Sequence, residues 1–330
     1  MPLPFILGAI AVATAVTGVA KAVDANDTNK RARRINNHAK EIYEQAEQEL
    51  KSSKNRASAS LTRLGQEKVD VLQKDMVPFV NLMKKIKNIN MTEIRGIGDL
   101  SRLQVNEETL AEMQSMGDLA IEMASGIVKG TLMAFGAYSL VGAFGTAGTG
   151  TAIAGLSGVA ASNATLAALG GGTLAAGGLG IAGGTAILGG IVAGPALAVL
   201  GFAMSSKANE NLENARSNRA QAEKAAHEMG LASDACQKIS ERADMFIGLL
   251  ENIHIKFQKF VDQMKEIIDK GTDYRNYGQA EKDILAMTLS LAVATKAVLD
   301  TPILNKDGSV TTKSLDVYHE MNPKITKVKA

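Results

Sequence analysis

Tryptophan is absent from this 330-residue chain, and aromatic residues make up only 4% of it. The 46% apolar share is carried by Ala, Val, Leu and Ile, which suit helices and tight helix contacts better than aromatic-rich β cores. Proline is equally scarce, with six residues and long stretches without turn clusters. These shortages predict an all-α chain. The single cysteine, Cys236, excludes an internal disulfide and any metal site built on several cysteines. A net charge of +2 gives no general electrostatic case for nucleic acid, and none is expected as a partner.

Charge is missing altogether from Gly130 to Ser206, a run of 77 residues holding 20 of the 32 glycines. Within it, Gly178, Gly180 and Gly183 spell G-x-G-x-x-G. That fingerprint binds a dinucleotide only after a strand, at a helix start, with an acid about 20 residues on. Here helix-prone ATLAALG precedes it, glycines continue on both sides, and the next acid is Glu210. No G-K-[ST] occurs, and GIVKGT at 126–131 has the wrong order for a phosphate loop. No cofactor is expected. His38, His227, His254 and His319 stand without ligand-spaced partners, and the acids of EETLAE and AEQE lie on helix surfaces. No catalytic or metal residue is assigned, and the chain is read as a non-enzyme.

The glycines have another use. Gly142, Thr146, Gly150, Ala154, Gly158 and Ser162 recur every fourth residue. So do Gly172, Ala176, Gly180 and Gly184, and then Ala182, Ala186, Gly190 and Gly194. Such spacing lines one helix ridge with small groups, so that two backbones can approach closely, as in membrane helices. Each interior glycine costs a helix about 1 kcal/mol in water, whereas lipid drives the same backbone into helix. The block therefore reads as a membrane-insertion hairpin, with an even number of spans and a kink at Pro195. The alternative is the buried centre of a helical bundle.

Around the block the pattern is amphipathic. Residues 3–20 are uncharged for 18 positions, the lower limit for a span, and read equally as a core helix. Lys30, Arg31, Arg33 and Arg34 follow as candidate contacts for anionic lipid headgroups. DANDT supplies capping side chains for a helix over 28–76, with small or apolar residues at Ile35, Ala39, Ile42, Ala46, Leu50, Ser53, Ala57, Leu61, Leu64 and Leu72. Pro78 is expected to break or kink it. Shorter helices are expected over 79–88 and 106–129. The clearest signal is a seam of Ala208, Ala215, Ala222, Met229, Cys236, Ala243, Leu250, Phe257 and Met264, seven apart throughout. Arg219 and His254 interrupt its partner positions. A helix over 208–269 would be roughly 90 Å long and needs a companion, for which 28–76 is the candidate. Gly271 ends it, a helix over 276–299 follows, 305–310 forms a turn, and the chain closes on a basic tail.

The domain reading is an N-terminal hydrophobic helix (1–24), an amphipathic region (25–129), the Gly-rich hairpin (130–206), the heptad helix (207–270) and a C-terminal helix with its basic tail (271–330). The expected fold is long antiparallel amphipathic helices packed around or flanking that hairpin. The stretch 164–201, ATLAALGGGTLAAGGLGIAGGTAILGGIVAGPALAVLG, resembles a Gly-rich cassette of bacterial glycine-zipper helical proteins. A neutral hairpin between amphipathic helices also resembles the membrane-inserting part of colicin-type pore formers and the apolipoprotein L proteins. The resemblance implies membrane insertion or permeabilisation by a self-associating, latent pore-forming effector. Its partners would be the lipid membrane and further copies of the chain, and its location the cytoplasm or the inner membrane. The alternative is a non-catalytic scaffold or signalling protein that binds a partner through the seam at Met229, Leu250, Phe257 and Met264, the block being an anchor or a core.

Overall fold

A computed structural model describes residues 19–89, 109, 111–113, 132, 135–137, 212–305 and 308–329, with side-chain surroundings from Lys30 onward. Its regular elements among these residues are all helical. They are α1 (Val19–Val71), a π-turn (Leu72–Met76), α2 (Val77–Met83), α3 (Leu212–Lys270), a 3-10 turn (Tyr274–Asn276), α4 (Gln279–Leu299) and α5 (Thr312–Lys327). The chain divides into two compact units, Met1–Glu47 with Ala198–His227, and Gln48–Leu197 with Glu228–Ala330.

The seam is present as spaced. All its residues from Ala215 to Met264 are buried, at no more than 1% exposure. Ala208 lies outside the described residues. Small residues come first: in the first unit Ala215, Ala222 and Ala225 of α3 are buried, as are Ala32 and Ala39 of α1, and Asn218 donates to Asn36 Oδ1 at 3.0 Å. In the second unit Leu50, Ala57, Leu61, Leu64 and Leu72 are buried, and Phe79 of α2 meets Phe257 at 5.6 Å between ring centroids.

The direction of pairing corrects an expectation. In the second unit Ser53 bonds Ser233, Arg63 bonds Glu251 and Asp75 bonds His254, so the paired numbers rise together. The α1 and α3 helices therefore run parallel there, not antiparallel. An apolar stripe marks which face is buried and is blind to chain direction. A parallel pair needs a long crossover, and residues 84–211, which include the uncharged block, supply it.

Two helix boundaries also differ. The first helix already runs from Val19, so DANDT lies inside it. Capping side chains end a helix only where the upstream residues refuse to continue it, and here VAKAV does not. Pro78 does not break the chain either. The preceding π-turn closes with Val77 N–H donating to Leu72 O, and the proline sits in the first turn of α2, where its missing donor is not needed.

The α5 helix is hidden in what reads as a basic tail. Thr311 caps it, accepting from Ser314 N at 3.1 Å, and two cations of α3 hold its ends. Arg242 bonds Thr311 O and Ser314 Oγ, and Lys256 donates to the carbonyls of Ile325, Thr326 and Val328 at 2.7, 3.0 and 2.7 Å. Lysine at a helix C-terminus satisfies orphan carbonyls and meets the negative end of the dipole. At the described ends of the turn expected over 305–310, Asn305 N–H donates to Ser309 O and Gly308 N–H to Asn305 O, with Gly308 at φ 84°, a conformation that favours glycine.

Among the described residues no helix is long and apolar enough to cross a membrane. This overturns the transmembrane and pore-forming readings for the helices described. Those readings fell on residues 3–20 and 130–206, of which 19–20, 132 and 135–137 are described and the rest lie outside the described residues.

Phe257→Ala is expected to destabilise the second unit by about 3–5 kcal/mol, because the ring leaves a cavity against Phe79. Ile255→Ala, at a side chain 69% exposed, should stay within about 0.5 kcal/mol. Urea midpoints of the two variants check both.

Candidate functional site

Where the uncharged block leaves the described structure, it is fastened to α1. Gly65 and Gly136 make the fastening. A Cβ built on Gly65 would overlap the carbonyl of Leu132, and one on Gly136 would overlap the carbonyl of Leu61. Backbone lies on backbone here, so any side chain at either position would force the two segments apart. Gly136 belongs to the block itself. A glycine of that block is thus used for close contact with another helix of the same chain.

Three further bonds hold this root. Lys68, on the next turn of α1, donates from Nζ to Phe135 O at 3.0 Å. Ala137 O accepts from Ile303 N at 2.9 Å and Leu304 N at 3.1 Å, in the segment after α4. The root is therefore gripped from one side by α1 and from the other by the α4–α5 connection. Burial of Phe135 and Ala137, both at 1% or less, removes water from these bonds.

Lys68 is fully buried, and its amine is pulled down to about 7 by that burial, with Asp300 offsetting part of the effect. Asp300 also pairs with Lys296, which reaches Glu112 at 2.9 Å. Burial lowers the Lys296 amine, but its bonds to Asp300 and Glu112 outweigh this and hold it above its ordinary value. Asp300 Oδ1 is buried without a hydrogen-bond partner among the described residues.

Two turns further along, the π-turn places Asp75 in the core at 0% exposure. Its carboxylate oxygens lie 2.9 and 2.8 Å from His254 Nδ1 of α3. Burial raises the Asp75 carboxyl to about 6, against the opposing bond from His254. Glu67 nearby is raised by burial first and then by Glu251 and Asp70. For Asp70, burial is outweighed by bonds from Lys74 and Gln66, and its carboxyl falls.

The sequence-assigned residues distribute as follows. Met229, Leu250, Phe257 and Met264 are buried inside the chain, so the seam is filled by the protein's own helices. Lys30, Arg31, Arg33 and Arg34 lie on α1, where Lys30, Arg31, Arg33 and Arg34 are all exposed. Gly142, Gly150, Gly158, Gly172, Gly180, Gly184, Gly190 and Gly194 lie outside the described residues. What the pattern does not single out is Lys68 and Asp75. A signal exists: Leu64, Lys68 and Leu72 step by four, which puts the lysine in the apolar stripe.

The two crossing glycines have internal controls. Gly230 and Gly248 sit within α3 with open space where a methyl group would stand, so alanine there should stabilise by about 0.5–1 kcal/mol. Gly65→Ala and Gly136→Ala should instead destabilise by roughly 1–3 kcal/mol or more. Thermal unfolding of the four single variants checks the opposite signs.

No family model matches the chain, and no curated protein or solved structure is found similar to it.

Proposed function

We propose that this chain is a non-catalytic scaffold, a braced helical frame that carries the uncharged block from a fixed root. The observation that carries this reading is the crossing of Gly136 on the backbone of α1. Glycine at that position serves protein packing, and the four-residue ridges further along the block are read in the same way. The block is then an element for helix contact, within the chain or between copies of it, and its apolar surface is covered by protein.

The polar side chains support the same reading. Arg242 donates to Thr311 O and Ser314 Oγ, and Lys256 and Lys68 donate to carbonyls, all on neighbouring segments. Their geometry fastens helices together. The seam at Met229, Leu250, Phe257 and Met264 is filled internally, so it braces the frame and does not serve as the partner surface.

Lysis of cells without detergent, followed by alkaline carbonate extraction, tests the reading. The untagged chain is expected in the supernatant, with a single elution position in size exclusion. A carbonate-resistant pellet would overturn it, because the block would then be covered by lipid.

A further inference from the structure

Charge of one sign collects in the first unit. At about 3.6 residues per turn, Lys30, Arg31, Arg33 and Arg34 flank the buried Ala32 evenly and fan across the outward half of α1, all four exposed. Asn218 of α3 donates to Asn36 Oδ1 at 3.0 Å, and Arg34 and Arg216 each stand two residues from one of these asparagines. The exposed Arg216 is therefore level with Arg34 to within about 6 Å along the helix axis.

The acids nearby are few or already engaged. Glu213 stands in the first turn of α3, Glu223 holds Arg219 at 2.7 Å, Glu41 lies 3.7 Å from His38, and Glu44 lies 3.5 Å from Lys40. Upstream in the sequence, Asp24 and Asp27 stand against Lys21. Arg31, Arg33, Arg34 and Arg216 make no ion pair among the described residues. In the second unit, by contrast, Arg63, Lys74 and Arg275 sit against Glu251, Asp70 and Asp273. Like charges three or four residues apart on a helix repel, as Lys30 does with Arg33 and Arg34, and Arg31 with Arg34. An anionic surface laid against them relieves that repulsion.

We propose that Lys30, Arg31, Arg33, Arg34 and Arg216 form a docking surface for the anionic headgroups of a lipid bilayer, a peripheral attachment in which none of the described helices crosses the membrane. Each cation held near an anionic bilayer adds attraction that fades within a Debye length. The choice of lipid rests on the neighbouring sequence. Residues 3–20, directly upstream, carry no charge. A bilayer offers hydrocarbon beside its headgroup charge, whereas a nucleic acid offers phosphate without hydrocarbon, so cations next to uncharged sequence fit lipid better. The attachment is electrostatic and released by high salt or alkaline carbonate, and it does not rest on the scaffold reading.

Cosedimentation of the full-length chain with vesicles tests the surface. The chain should bind phosphatidylcholine vesicles containing about one-quarter phosphatidylserine, leave pure phosphatidylcholine vesicles unbound, and be released as salt rises from about 0.1 M to about 0.5 M. Arg33→Gln with Arg34→Gln should weaken binding about tenfold to thirtyfold, since each cation contributes about a factor of five near an anionic surface. Lys84→Gln with Lys85→Gln, an exposed pair in the second unit, removes the same charge and should change binding less than about twofold. Equal binding to both kinds of vesicle, or none to either, would overturn the proposal whatever the variants do. So would equal weakening by the two pairs, or tighter binding to duplex DNA than to the anionic vesicles. A carbonate-resistant pellet from cells would instead remove the scaffold reading and leave this surface to the vesicle result.

Discussion

The α1 and α3 helices can exist at their observed lengths only because each covers the other's apolar face. Isolated helices gain little from their own hydrogen bonds, and helices of 53 and 59 residues in water depend on a partner along their length. The seam meets this need with small residues in the first unit and large ones in the second. Ala215 and Ala222 bury little apolar area and bring backbones close, whereas Leu250, Phe257 and Met264 build a core. The α4 and α5 helices join the larger core, and α5 is tied along α3 by Arg242 and Lys256, fourteen residues apart. Everything that fixes the root of the uncharged block is attached to this pair.

Within that frame the polar residues divide by burial. The Arg63–Glu251 pair is exposed, and such pairs contribute at most about 1 kcal/mol. Lys68 and Asp75 are different because the core admits no water to them. Their contacts restrict geometry, and each also imposes a dependence on proton concentration. The π-turn is what brings Asp75 to His254 while leaving Pro78 a place in the following helix. One local irregularity therefore serves both the proline and the buried pair.

The seam from Ala215 to Met264 is legible because a seven-residue interval repeats without a miss, and repetition over that length leaves one reading. The direction of the helix pair is not, since a stripe of side chains carries no arrow. Pro78 announces a lost hydrogen bond but not its remedy. The last helix escapes because Lys324, Lys327 and Lys329 suggest a basic tail, while its informative residue is the cap Thr311. Lys68 and Asp75 escape because charge is assigned to the surface by default. Their step within the apolar stripe argues otherwise. The close crossing at Gly65 and Gly136 joins residues 71 apart in sequence, and no local pattern points to such a pair.

Parallel pairing has a further consequence during synthesis. Ser53 meets Ser233 and Asp75 meets His254, partners 180 and 179 residues later. The core face of α1 consequently leaves the ribosome long before the helix that covers it. At roughly 5–20 residues per second, on the order of several seconds separate the end of the uncharged block from the end of α3. Throughout that interval the nascent chain presents its most apolar segment with half of its frame still untranslated. Pairing of α1 with α3 in the second unit therefore waits until the uncharged block and α3 have both been translated.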